Sequence, residues 1–226
     1  MSNRPEPAAP PDVGAPRCAL DHIVVVAPAL ETGGAFVREM LGIAPQAGGK
    51  HARLGTHNLL LRLGDALYLE VIAIDPSAPP PSRPRWFGLD GLRPDAAPAL
   101  AAWVARSPHV HASAAACPEP LGDIEPMSRG ALEWLITIPA DGFVPLDGIG
   151  PALIQWQTET HPASRLPDHG LSLTRLELGH PDPERVGRML ASLGLDHGEL
   201  LVVAAATPRL TARIDTPQGP RVLSAG

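Results

Sequence analysis

Two ionisable side chains interrupt runs that are otherwise apolar: His22 within LDHIVVVA (20–27) and Glu70 within ALYLEVIAI (66–74). An imidazole and a carboxylate on neighbouring strands can give a divalent ion two ligands, the nitrogen suiting Fe, Zn, Ni or Mn and the oxygen all of them. Two donors do not complete a metal site, so two readings stay open. Either a metal is held with further ligands, or the imidazole is hydrogen-bonded to a carboxylate with no metal, as buried polar groups commonly are. Glu70 could also serve as a base, with burial beside Tyr68 and the tryptophans raising its pKa. Other chemistry is not signalled: there is no P-loop, no GxGxxG after a strand and no GxSxG.

The elements that must carry these residues are read from pattern. LDHIVVVA is rich in β-branched residues and predicts a buried strand ended by Pro28; Thr32 is the expected N-cap of a helix over GGAFVREML, which Gly42 closes. Strand signals follow near His51 to Leu54, over THNLLLRLG and over ALYLEVIAI, giving the order β-α-β-β-β for residues 18–76. Residues 1–17 hold five prolines and few large apolar side chains, and predict a disordered arm. The proline-rich stretch 77–97, with WFGLD, reads as a connecting loop.

The chain then repeats itself. LAAWVARSP, HVHASAAAC, IEPMS, ALEWLITIP and PALIQWQT predict a second β-α-β-β-β unit over 98–163, and LTRLELGHPDPERVGRMLASLGL opens a third, shorter one over 171–226. Aligning ALYLEVIAIDP with ALIQWQTETHP sets Trp156 where Glu70 stood, and Trp103 falls near the place of His22.

Composition limits the partners. The net charge of -6 with no basic run excludes nucleic acid and anionic membrane as expected partners. No apolar run spans a bilayer, and the opening residues lack the apolar core of a signal peptide. Cys18 and Cys117 read as reduced thiols of a cytoplasmic protein. Seventeen of the 18 basic residues are arginine, which looks like the coding bias of a GC-rich bacterial genome.

With His22 on the first strand, GKHARLGTHNLLLRLG in the middle and YLEVIAIDP on the fourth, the first unit resembles the glyoxalase-like domain family of the vicinal-oxygen-chelate superfamily. The likeness runs on through WFGLD, IQWQTETHP and TPQGPRVL, over roughly residues 19–225. It implies an α+β fold in which repeated βαβββ units form a cup-shaped mixed-sheet barrel. It also implies a site at His22 and Glu70, since metal-using members draw ligands from the first and fourth strands of each unit.

On that pattern the second unit offers indoles where ligands are expected, so a chelate would need His51, His57 or His161. His57 is preferred, because THN sits at a strand entrance; His109, His111, His169, His180 and His197 read as surface or capping residues. Tyr68, Trp103, Trp156, His51 and His161 are the expected ligand-lining residues. Two functions follow. One is a metal-dependent lyase, isomerase or dioxygenase acting on a small vicinal-oxygen substrate. The other is a metal-free protein that sequesters an aromatic or cationic molecule. Three units in a fold that closes in pairs suggest a homodimer.

Overall fold

The computed structural model describes residues 17–195 and 198–224; the proline-rich arm up to residue 16 and the turn containing His197 lie outside the described residues. Strands β1 (Ala19–Val26), β2 (Gln46–His51), β3 (Thr56–Gly64) and β4 (Leu67–Ile74), with helix α1 (Leu30–Leu41), form the first unit. The second holds β5 (Ala99–Arg106), α2 (Val110–Ala116), β6 (Asp123–Arg129), β7 (Leu132–Ile138) and β8 (Ala152–Trp156). All eight strands join one curled sheet in the order β2-β3-β4-β1-β5-β8-β7-β6, a half-barrel whose two halves meet where β1 pairs antiparallel with β5. Each half repeats one plan, with its first strand parallel to its last.

Helix α1 begins earlier than its sequence suggests. Its N-cap is Ala29, and the Thr32 hydroxyl turns back to donate to the Ala29 carbonyl at 2.8 Å. Gly42 ends it in the left-handed conformation, where a side chain would be strained.

Alternation along the strands separates two cores. Ile23 and Val25 of β1, Leu61 and Leu63 of β3, and Leu69 and Val71 of β4 pack on the outer face beneath α1. Val24, Val26, Ala102, Val104, Trp134 and Ile154 fill the cup face, covered at one side by Trp86 and Phe87 of the short 3-10 segment Trp86–Gly91.

The C-terminal segment contains β9 (Ser172–His180), α3 (Pro183–Ser192), β10 (Leu200–Ala204), β11 (Arg209–Thr216) and β12 (Gly219–Ser224). Asp182 caps α3, its carboxylate accepting from the Arg185 backbone N–H. The element order matches the first two units, but the pairing differs. Here the first strand lies inside a separate four-stranded sheet, β10-β9-β11-β12, parallel to the second strand and not to the fourth. Leu176, Leu178, Leu210, Ala212 and Ile214 of this sheet share the outer core with Ile23, Val37 and Trp103, so the third segment covers the back of the half-barrel.

Candidate functional site

The site depends on an irregularity in β1. Leu20 pairs with Ala105 and His22 with Val104, which leaves Asp21 as the extra residue of a β-bulge. Asp21 and His22 therefore both turn to the cup, where regular alternation would have separated them. The second half carries the same irregularity: Val24 pairs with Ala102 and Val25 with Leu100, so Ala101 is the extra residue of β5. Ala101-Ala102 thus answers Asp21-His22.

Around the bulge lies a closed chain of polar contacts. The His22 Nδ1–H donates to Asp21 Oδ1 at 2.6 Å, while Asp21 Oδ2 accepts from the Trp156 indole N–H at 2.9 Å and from His161 Nε2 at 3.0 Å. His161 Nδ1 in turn accepts from the Ala163 backbone N–H, which fixes that ring as a donor toward Asp21. On its other side, His22 Nε2 faces Glu70 Oε2 at 3.5 Å, and the Asn58 amide donates to Glu70 Oε1. The Tyr68 ring stacks on His22 with centroids 4.5 Å apart. Asp21 is wholly buried, and His22 and Glu70 nearly so.

These contacts set the charges. Burial would lower the His22 pKa, but the hydrogen bonds and charges of Asp21 and Glu70 outweigh it and push it up to about 9. Burial would likewise raise both carboxylates. Instead His161 and His22 hold Asp21 well below the usual range, and His22, with help from His51 and Asn58, brings Glu70 down to about 2. The expectation of a raised Glu70 pKa is thereby corrected, because the imidazolium beside it outweighs desolvation. At neutral pH the group is carboxylate, imidazolium, carboxylate. His51 is the opposite case: burial among aromatic rings lowers its pKa to about 4, so it stays neutral, with Nδ1 3.0 Å from the Thr56 hydroxyl.

His22, His51, Tyr68, Glu70 and Trp156 all line one cavity; His161 stands behind its wall, bonded to Asp21 and packed beside Tyr68 and Trp156. Trp103 and His57 do not line it. Trp103 follows Ala102 and so faces the outer core, fully buried, donating its indole N–H to the Ile149 carbonyl at 2.8 Å. His57 shares its strand face with Leu59 and Leu61, and Asn58, one residue on, holds Glu70 instead. Strand register also moves Trp156. Val24 pairs with Glu70 and Val104 with Ala152, so Ala152 is the counterpart of Glu70, and Trp156 reaches the cup from the strand's end. Asp21 and Arg129 escaped the sequence reading, and Asn58, which alternates away from His57 and so reads as a turn or exterior residue, is buried against Glu70. For Asn58 the signal was present in the alternation from Leu60, a cup-side residue beside Tyr68.

The cavity is small, about 20 Å³, room for roughly one water molecule. The indoles of Trp86, Trp134 and Trp156 and the Phe87 ring take the rest of the space. A divalent ion fits this donor set poorly. His22 and Glu70 face each other as a pair, Ala102 and Ala152 stand at the mirrored positions, and among the described residues no group of three or more His, Cys, Asp or Glu side chains is arranged to hold a metal ion. A resident metal normally takes three protein ligands or more.

The glyoxalase-like domain family matches residues 20–194, and the chain belongs to that family. The vicinal-oxygen-chelate resemblance read from the strand motifs therefore holds, as does the cup-shaped α+β fold it implied. Among solved structures, a hypothetical protein from Staphylococcus aureus shares the fold at TM-score 0.60 and 11% identity, over 84% of this chain and 87% of that one. Also similar are a Mn(II)-bound glyoxalase from Novosphingobium aromaticivorans (TM-score 0.46, 9% identity, 92% of this chain and 82% of that one) and methylmalonyl-CoA epimerase from Streptomyces coelicolor (TM-score 0.41, 17% identity, 62% and 97%). No curated protein matches. Among the described residues no helix is long and apolar enough to cross a membrane.

Proposed function

We propose that this glyoxalase-like protein binds a small carbonyl compound in the cup and moves the proton next to the carbonyl, as an isomerase or lyase would. The reading rests on His22, whose Nε2 faces Glu70 Oε2 at 3.5 Å, a long contact that a ligand atom can replace, while its other nitrogen is held by Asp21. His22, protonated at neutral pH, is a donor and not a base. A carbonyl oxygen that takes the place of Glu70 Oε2 beside the ring accepts the Nε2–H, and the imidazolium stabilises the negative charge that enolisation puts there. Glu70 then loses its strongest partner, burial dominates its surroundings, and its basicity rises just where a C–H proton must be accepted. An ionic cluster adds little to stability compared with apolar packing, which favours a chemical role over a structural one. Because the cavity is so small, binding requires the aromatic wall or Arg129 to move.

A second reading, a metal-free binding protein, is favoured by the three indoles around the cavity, which suit a flat organic ligand. One experiment separates the two. Short 2-oxo acids and 2-hydroxy carbonyl compounds are incubated in D2O with chelator-treated protein, and deuterium incorporation beside the carbonyl is followed by proton NMR. Exchange should occur and fall by about a hundredfold or more in Glu70→Gln. Equal exchange in the variant, or exchange that needs added Mn or Zn, would overturn the proposal; binding without exchange supports the second reading.

A further inference from the structure

The cup opens beside a groove of about 510 Å³ whose walls come from β2, the β6–β7 hairpin and the 3-10 turn Pro162–Arg165. Arg129 lines both spaces. It follows Met127 by two on β6 and so lies on the cup side; its stem crosses the β2 edge at Gly49, where a Cβ would come within 2.9 Å of Arg129 Cγ and Cδ. Its positive charge reaches into the cup, where it opposes protonation of His51 and favours ionisation of Tyr68. Arg165 stands exposed on the groove's other wall. No carboxylate lies within ion-pair distance of either guanidinium among the described residues, and neither Asp nor Glu is among the groove's lining residues. The third cation, Lys50, is already held by Asp75 at 2.7 Å and Ser77 at 2.8 Å.

In a protein of net charge -6 this is a local inversion of sign, placed at the entrance to the cup. Guanidiniums present forked N–H donors that match a carboxylate or phosphate. We infer that the groove is the subsite for an anionic group of the substrate, a carboxylate or a phosphate, held by Arg129 and Arg165 while the carbonyl end lies against His22 and Glu70. The orientation of the reacting end rests on the proton-transfer reading; the anion site itself does not. Local charge and not net charge faces a ligand in the groove.

Calorimetric titration with inorganic phosphate and, separately, with glutarate tests the site and distinguishes the two anions. Wild-type protein should bind at least one of them at up to about 20 mM, with Arg129→Ala weakening binding about tenfold, Arg165→Ala several-fold, and Arg38→Ala on α1 not at all. Because Arg129 also bridges the sheet edges, Arg129→Lys, which keeps the charge, serves as its folded companion and should weaken binding less than Arg129→Ala. No binding by the wild type, or affinities within twofold across wild type, Arg165→Ala and Arg129→Lys together, would overturn the inference. Anion binding lost in the arginine variants but unaccompanied by any deuterium exchange would uphold the groove and reject the proton-transfer chemistry.

Discussion

Replacing Asp21 by Asn keeps the shape of the side chain and removes its charge. The carboxylate now serves three N–H groups through two oxygens, with contacts of 2.6, 2.9 and 3.0 Å. An amide has one accepting oxygen and a donating NH2, so at least one of the His22, Trp156 and His161 donors meets another donor in a buried setting. An unsatisfied buried donor costs about 1–3 kcal/mol, and breaking a buried charged pair about 3–5 kcal/mol. For a chain of this size that corresponds to a melting temperature lower by roughly 5–15 °C. The same change removes the largest support of the raised His22 pKa, so the ring should titrate well below about 9. Differential scanning calorimetry reads the first effect and 15N NMR of the imidazoles the second. A variant that melts within 2 °C or so of wild type, with His22 still titrating as before, would refute the account of Asp21 as the group that fixes and charges His22.

The pH dependence of stability has two opposed sources. His22, raised to about 9, contributes stability that is full below its unfolded pKa of about 6.5 and is lost as pH rises through 9. His51, lowered to about 4, contributes stability present above about 6.5 and lost as pH falls toward 4. Urea midpoints should therefore drop on both sides of neutrality, and His22→Gln should flatten the alkaline limb; a flat wild-type profile up to pH 9 would contradict the charged cluster. Trp103→Phe strips the donor from the Ile149 carbonyl and should cost about 1–3 kcal/mol in urea denaturation. Since Trp103 lies on the outer face, the anion affinity of the groove should not change with it; a coupled loss would show that the two faces are not independent.

Much of the scaffold was legible because period-two alternation and turn residues report directly on strands. LDHIVVVA, THNLLLRLG and LYLEVIAI all became strands, and the internal repeat foretold the second half of the sheet. The pairing of the third segment was not legible, since element order does not say whether a first strand joins its second or its fourth neighbour. At the site, His22 and Glu70 were found because they interrupt apolar runs. Asp21 was missed because alternation assigns it and His22 to opposite faces, and only the bulge brings them together. Trp103 was misplaced by one position for the same reason: without the second bulge at Ala101, a register counted along LAAWVAR slips onto the wrong face. His57 was preferred for its place at a strand entrance, against the parity that Leu60 already set.

The duplicated bulge has an implication for engineering. The backbone that mounts an acid and an imidazole side by side exists twice, but only one copy is furnished: Asp21-His22 on β1 and Ala101-Ala102 on β5. Installing a second dyad by Ala101→Asp and Ala102→His would require no new strand, turn or register. What the second mount lacks is volume, since Trp134 and Ile154 already press on that wall. The present one-sidedness of the cup is thus a matter of side chains and not of backbone, and a second dyad would also need partners of the kind that Trp156, His161 and Glu70 give the first.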